Sequence, residues 1–220
     1  MVYIARRVAS ATASPTDPGY EVAEQRRTQT LYGDWTPRNL NSHEENVEIY
    51  SNCEEVELFL NGKSLGSKPK PADDRPRNWK VNFEAGTIKA IGKNGGKQAA
   101  EFELKTAGKP ARIVLTADKA KITNDWNDVV FVTAKVVDAN GVVVPNANDL
   151  IEFAATGAGA IVAVDSADNA DHDPFQATKR KAFQGTCVAL IKAAKGNGSI
   201  TISAQSGDLK GGVITINAGR

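Results

Sequence analysis

Short runs in which apolar and polar residues alternate, each closed by a turn signal, constrain the fold of this chain more than any other feature. A period of two places every second side chain on the same face of a strand. Such runs begin at Val47 and at Val56, and the second ends in Asn61-Gly62, a pair that favours a tight hairpin turn. No segment of ten residues shows the 3.6-residue period of a helix. The pattern therefore predicts an all-β protein.

The first series of strands ends at Gly108-Lys109-Pro110, and a second, distinct series follows, with Val130 and Val132 at its clearest point. A chain of 220 residues is long enough for two small domains. Turn signals recur about every ten residues, as in β-sandwiches. We therefore predict two consecutive antiparallel β-sandwich domains, at residues 30–107 and 108–220.

Residues 1–29 lack a sustained period of either kind. After a short apolar stretch they become rich in Ser, Thr, Pro and Asp, which are residues of turns and loops. This segment is therefore predicted to be an extended lead-in outside both sandwiches.

The charge balance excludes some partners. With 27 basic and 26 acidic side chains the formal net charge is +1, so no overall field favours nucleic acid or an anionic membrane. No apolar run reaches the length of a membrane span. Cys53 and Cys187 lie in predicted strands of different halves, where we expect buried thiols rather than a disulfide. Arginines follow the first apolar residues instead of preceding them, so we expect no export signal within the chain.

Residues 45–66 and 77–92 resemble the C-terminal β-sandwich that follows the catalytic barrel in β-galactosidase-like enzymes of glycoside hydrolase family 2. Residues 108–122, 132–147, 151–168 and 180–193 resemble the next domain of the same enzymes, which is similar to bacterial immunoglobulin-like repeats. The resemblance therefore implies an all-β chain of two consecutive immunoglobulin-like antiparallel β-sandwich domains. The opening, at residues 1–9, is similar to the stretch that leaves the barrel, so Met1 is interpreted as an internal residue.

The resemblance implies a retaining exo-glycosidase as the parent protein, with its two catalytic glutamates in an upstream barrel. We therefore expect no catalytic residues and no cofactor in this chain. It implies the upstream catalytic domain of the same polypeptide as a partner, and a periplasmic or extracellular location. The sugar specificity stays open, since galactoside, mannoside and glucuronide hydrolases share this general architecture.

Tryptophans are the candidates for sugar contacts, because a pyranose stacks its apolar face on an aromatic ring. Trp126 lies in the polar stretch Asn124–Asp128, where an indole is hard to bury, and is the first candidate. Trp35 is the second, with docking against the barrel as the alternative. Trp79 alternates with Val81, which favours packing in the core.

An acidic loop gathers four aspartates within nine residues, and hard cations such as Ca²⁺ prefer oxygen clusters of this kind. The loop lacks the glycine and the terminal glutamate of an EF-hand. A solvated acidic loop is therefore the competing interpretation. The candidate metal ligands are Asp165, Asp168, Asp171 and Asp173.

Two functional hypotheses follow. In the first, the chain is a non-catalytic region that braces the catalytic barrel or an oligomer, which predicts a large exposed apolar patch. In the second, it is a carbohydrate-binding or cell-surface adhesion module with polysaccharide as its partner, which predicts exposed aromatic rings and measurable affinity for sugar.

Overall fold

A computed structural model describes residues 1–9, 29–124, 128–194 and 196–219, without the side chains of residues 9 and 29. These residues form strands and no helix, which confirms the all-β prediction. The chain divides into two compact units, Met1–Thr106 and Ala107–Arg220. In the described part of the chain, no helix is long and apolar enough to cross a membrane.

The first unit contains two antiparallel sheets of four strands. The strands are β1 (Val2–Ala9), β2 (Gln29–Tyr32), β3 (Glu44–Ser51), β4 (Glu55–Leu60), β5 (Lys63–Pro69), β6 (Arg77–Asn82), β7 (Thr87–Asn94) and β8 (Lys97–Lys105). The first sheet has the order β2-β1-β3-β6 and the second the order β5-β4-β7-β8. Val47 and Ile49 of β3, Leu58 of β4 and Ile88 of β7 are buried in one apolar cluster, which forms the core of this sandwich.

The predicted hairpin joins β4 to β5. Its central residues have φ angles of 49° at Asn61 and 82° at Gly62, as a turn of the Asn-Gly type requires. The Asn61 side chain also binds the next turn, since its Oδ1 accepts from Thr87 N at 2.8 Å and its Nδ2 donates to Ala85 O at 3.1 Å. One asparagine therefore fixes two neighbouring turns.

The second unit begins its strands at Arg112. They are β9 (Arg112–Ala117), β10 (Lys121–Ile122), β11 (Val130–Val137), β12 (Leu150–Gly157), β13 (Gly159–Asp165), β14 (Lys179–Lys181), β15 (Thr186–Ala193), β16 (Gly198–Ser206) and β17 (Leu209–Ala218). Their order is β13-β15-β11-β9-β17-β16-β12-β14, with β10 beside β17. Val132 of β11, Phe153 of β12 and Ile202 of β16 share one buried cluster, so the two halves of this curved sheet face each other across a core.

Not every pairing is antiparallel. β10 runs parallel to β17, and a single parallel pair, Lys210 with Arg112, links β17 to β9. This link joins the two halves of the second sandwich along one edge. The other pairings between strands of this unit are antiparallel within the described residues.

The predicted lead-in at residues 1–29 is corrected over Val2–Ala9. This segment is a strand that pairs with both β2 and β3 inside the first sheet. Val2 and Ile4 enter the core, and Arg6 occupies the next inward position because two carboxylates neutralise it there. A buried arginine breaks the apolar alternation, so the sequence pattern concealed this strand. Residues 10–28 lie outside the described residues.

A candidate binding cleft in the first sandwich

A polar cleft of about 760 Å³ opens on the outer face of the first sheet. Glu48 lies opposite Asn78, and Asn46 lies opposite both Lys80 and Arg7, so these five side chains share the outward face. The other lining residues come from β5, β6 and the segment before β6: Lys68, Arg75, Pro76 and Trp79.

The floor of the cleft holds a buried charge. Glu48 is only 1% exposed, although its strand turns this position away from the core. Arg7 forms an ion pair with one carboxylate oxygen, and Tyr50 donates its hydroxyl hydrogen to the other at 2.7 Å. The hydrogen bond to Glu48 raises the pKa of Tyr50. Because burying a charge is expensive unless it is paired, this arrangement fixes the Arg7 guanidinium in place.

One wall of the cleft is formed by Lys68, whose ammonium group lies over the indole of Trp79. Lys68 Nζ lies 4.7 Å from the centre of the Trp79 ring and donates a hydrogen bond to the main-chain oxygen of Asn78. The strand that carries Lys68 is held from below by Arg77, which donates to the oxygens of Lys68 and Pro69 at 3.1 and 3.0 Å. Desolvation lowers the pKa of Arg77. The ammonium group of Lys68 is thus kept at the cleft by both its own contacts and those of its strand.

The rim carries two more cations. Lys80 pairs with Glu44 at 2.8 Å and Arg75 with Asp73 at 3.0 Å, and all four side chains are largely exposed. Exposed pairs of this kind contribute little and exchange partners readily. The cleft therefore combines cations, two amide side chains and an apolar surface, which suits binding of a polar ligand that also has an apolar face.

The two predicted sugar contacts have different outcomes. Trp126 lies outside the described residues. Trp35 is completely buried, with its Nε1 donating to Glu84 O at 3.1 Å and its ring 5.2 Å from that of Phe83, so the prediction of an exposed sugar contact there is wrong. Its polar neighbours misled the sequence analysis, because Asp34 turns toward Arg6 rather than toward solvent.

The four aspartates of the acidic loop do not converge on a metal site. Asp165, Asp168 and Asp171 each accept hydrogen bonds from main-chain N–H groups of their own loop. Asp171 also pairs with the buried Arg180 at 2.9 Å, while Asp173 contributes its main-chain oxygen to the same arginine. No group of three or more His, Cys, Asp or Glu side chains is placed to hold a metal in the described ranges. The metal prediction is corrected accordingly: the carboxylates shape the loop.

Both cysteines are free and buried. Burial raises the pKa of Cys187 to about 12, so its thiol stays protonated at neutral pH. A protonated, desolvated thiol is a poor nucleophile.

The sequence analysis missed the cleft residues. Arg7 was assigned to a lead-in, and Lys68 lies in a proline-interrupted stretch without clear periodicity. The available signal was the alternation of Asn78, Trp79 and Lys80, which places polar side chains on the face opposite the core.

The fold defines a class of chain, a tandem of two β-sandwich modules. Residues 113–215 match the glycoside hydrolase family 2 C-terminal domain 5 family, and residues 43–100 match DUF4982, a domain family of unknown function. The chain belongs to the C-terminal region of family 2 glycoside hydrolases.

Individual relatives agree with this assignment. The beta-galactosidase BoGH2A of Bacteroides ovatus is 42% identical over 169 residues, 77% of this chain and 20% of that protein. A putative beta-glucuronidase of Formosa agariphila is 29% identical over 67% of this chain and 14% of its own length. A glycosyl hydrolase family 2 member from Bacteroides cellulosilyticus superposes with a TM-score of 0.87 and 30% identity, over 100% of this chain and 28% of its own. The chain spans about a fifth or less of the curated relatives' length.

Proposed function

We propose that the chain is the non-catalytic C-terminal region of a retaining, β-galactosidase-like glycoside hydrolase, in which it braces the catalytic barrel or an oligomer. The proposed partner is the catalytic domain of the same polypeptide, and the proposed location is the periplasm or the cell exterior. The family matches support the parent class, and the relatives' names support a galactoside or glucuronide as its substrate.

An apolar outer face on the second sandwich supports the bracing role. Phe131 of β11 is 44% exposed and lies opposite Leu190 of β15, which in turn lies opposite Ala163 of β13. Val162, beside this row, is 41% exposed. The outer face of an antiparallel sheet is normally polar, so a row of apolar side chains there is typical of a surface that another protein part covers.

The test uses the polypeptide translated from the complete reading frame that encodes this chain. Phe131→Asp is expected to lower its melting temperature by several degrees and to reduce hydrolysis of p-nitrophenyl β-galactoside, because a carboxylate is then buried against the partner surface. Val213→Asp is the matched control, since Val213 is 69% exposed on the other half of the sandwich. Equal effects of the two variants, or hydrolysis by residues 1–220 alone, would overturn the proposal.

Carbohydrate binding is the second candidate function, and the polar cleft is the observation that favours it. Pockets of about 300–1,000 Å³ commonly hold small organic ligands, and this cleft falls in that range.

A further inference from the structure

We infer that the cleft on the first sandwich binds acidic saccharides, that is, oligosaccharides carrying uronate carboxylates. The inference rests on carbohydrate binding as the second candidate function and names the class of sugar. It depends on the charges at the cleft, on the amides between them and on the apolar surface beside them.

Charge is the first argument. Four of the lining residues are cationic and one is a carboxylate. That carboxylate, Glu48, is 1% exposed and is engaged by Arg7 and Tyr50, so it presents little negative surface to a ligand. The side chain of Arg7 remains 40% exposed beside it. The cleft therefore offers a positive surface over a neutralised floor, which favours a ligand with carboxylates.

Lys68 is the cation best placed to meet such a ligand. Its ammonium contacts the Trp79 ring and a main-chain oxygen, and no carboxylate of the described chain pairs with it. Arg75 and Lys80 pair only with exposed carboxylates at the rim, and a bound uronate competes easily with such partners. A ligand carboxylate at Lys68 gains a charge-assisted hydrogen bond without displacing an existing ion pair.

The uncharged lining argues for a sugar rather than another anion. Asn46 and Asn78 carry amides, which both donate and accept hydrogen bonds and so match hydroxyl groups. Pro76 and the aliphatic part of Lys68, which covers the buried Trp79 ring, provide apolar surface for the C–H face of a pyranose. An inorganic anion would use neither feature, and the volume suits a ligand of several rings.

The experiment is a calorimetric titration of the 220-residue chain with trigalacturonate and, separately, with its uncharged counterpart galactotriose. Sodium sulfate and an oligoglutamate peptide complete the panel as non-sugar anions. We expect trigalacturonate to bind at least about tenfold more tightly than every other probe, and its affinity to fall as salt rises from about 0.05 to 0.5 M, since salt screens partly exposed charges.

The variant is Lys68→Met, which keeps the aliphatic contact with Trp79 and removes the charge. We expect about a tenfold loss of trigalacturonate affinity, as for a lost hydrogen bond between charged groups. Lys80→Ala, at the exposed rim, should give a smaller loss. Lys105→Ala is the control, because it removes a similarly exposed ion-paired lysine that does not line the cleft, and it should leave the affinity unchanged. Circular dichroism checks that each variant is folded.

The outcomes separate the two levels of the proposal. If galactotriose binds as tightly as trigalacturonate, the acidic-saccharide inference is wrong and carbohydrate binding stands. If neither sugar binds at millimolar concentration, both fail. If sulfate or oligoglutamate matches trigalacturonate, or if Lys68→Met binds like the unaltered chain, the cleft is a non-specific anion surface or the wrong site, and the inference is overturned.

Discussion

The protonation of His43, which directly precedes β3, makes the stability of the first unit depend on pH. Its Nδ1 lies 2.7 Å from Asn41 O and its Nε2 lies 2.8 Å from Glu45 Oε1, so both ring nitrogens face acceptors. These two hydrogen bonds raise the pKa of His43, against smaller opposing effects of desolvation and of the nearby Arg6. The protonated ring donates to both partners, and the folded chain therefore favours it.

The expected result is a loss of stability with rising pH. Since the pKa is raised in the folded state, the contribution of His43 is complete below its unfolded pKa of about 6.5 and disappears as pH rises through the folded value. Urea midpoints of the first unit, measured between pH 5.5 and 8.5, should fall more steeply in the unaltered chain than in His43→Gln. Parallel curves for the two chains would contradict this assignment.

Arg180 stabilises the acidic loop from inside the second sandwich. The side chain is 1% exposed, pairs with Asp171, and donates to the main-chain oxygens of Val164 and Pro174 at 3.2 and 2.8 Å. Replacing it with methionine leaves those oxygens and a carboxylate without their partner. We expect Arg180→Met to lower the free energy of unfolding by about 3–5 kcal/mol in chemical denaturation. Lys181→Met, on the exposed side of the same short strand, should change it by less than about 0.5 kcal/mol.

Single residues also mark the limit of sequence analysis. Arg6 was placed in the lead-in because residues 1–29 show no sustained period, and Trp35 was a candidate for sugar contact although its neighbours in sequence are polar. In the structure Arg6 is buried and forms ion pairs with Asp34 and Glu45 at 2.8 and 3.1 Å. Asp34 directly precedes Trp35, whose indole is also buried. Such partners are distant in sequence, so periodicity alone gives no sign of them.

At the scale of elements, the turn between β6 and β7 depends on a glycine. Gly86 has a φ of 137°, and a Cβ there would lie 1.9 Å from Asn61 Oδ1. Gly62, in the neighbouring hairpin, has a φ of 82° and open space around it. Gly86→Ala is therefore expected to destabilise the first unit by about 2–4 kcal/mol, because it adds a steric clash to backbone strain, and Gly62→Ala by about 1–2 kcal/mol. Thermal denaturation of both variants tests the order, and equal losses would contradict it.

Strand β1 is the element that the sequence did not reveal. It lies between β2 and β3, and Val2 and Ile4 belong to the buried cluster of the sandwich. A chain shortened to residues 30–220 should therefore lose the folded first unit and keep the folded second unit. Amide NMR spectra distinguish the two sets of signals. Retention of native signals from residues 44–105 in the shortened chain would show that β1 is dispensable.

Hairpins and strands with regular alternation were predictable, because the residues that specify them are close together in the sequence. Asn61-Gly62 specifies its turn, and the inward positions of β11 follow from its period of two. The parallel pairs between β17 and its neighbours were not predictable, since they involve a few residues far apart in sequence and leave no periodic signal.

At the scale of the whole molecule, each unit has a separate apolar core. Each also has about the size of an ordinary small domain. We expect fragments 1–106 and 107–220, expressed separately, to give dispersed amide spectra and cooperative thermal transitions. A fragment that remains unfolded alone would show that its core is insufficient. The predicted boundary after residue 107 lies beside this division, because a glycine-lysine-proline break separates two series of strands. The cleft depends on residues of four strands, β1, β3, β5 and β6, and stayed hidden.

The hydrogen bonds of Asn61 also bear on how the protein ages chemically. Asparagine followed by glycine is prone to deamidation, in which the glycine nitrogen attacks the side-chain amide, and the chain contains four such pairs. The Asn61 amide is held by hydrogen bonds to Thr87 and Ala85, which oppose the rotation that the attack requires. The Asn140 side chain, in an exposed turn after β11, forms no such hydrogen bond with the described residues, and the attacking nitrogen of Gly141 is held only by a hydrogen bond to Asp138 O at 3.1 Å within its own turn. Stored protein should therefore deamidate at Asn140 well before the hairpin that its sequence marks as equally vulnerable.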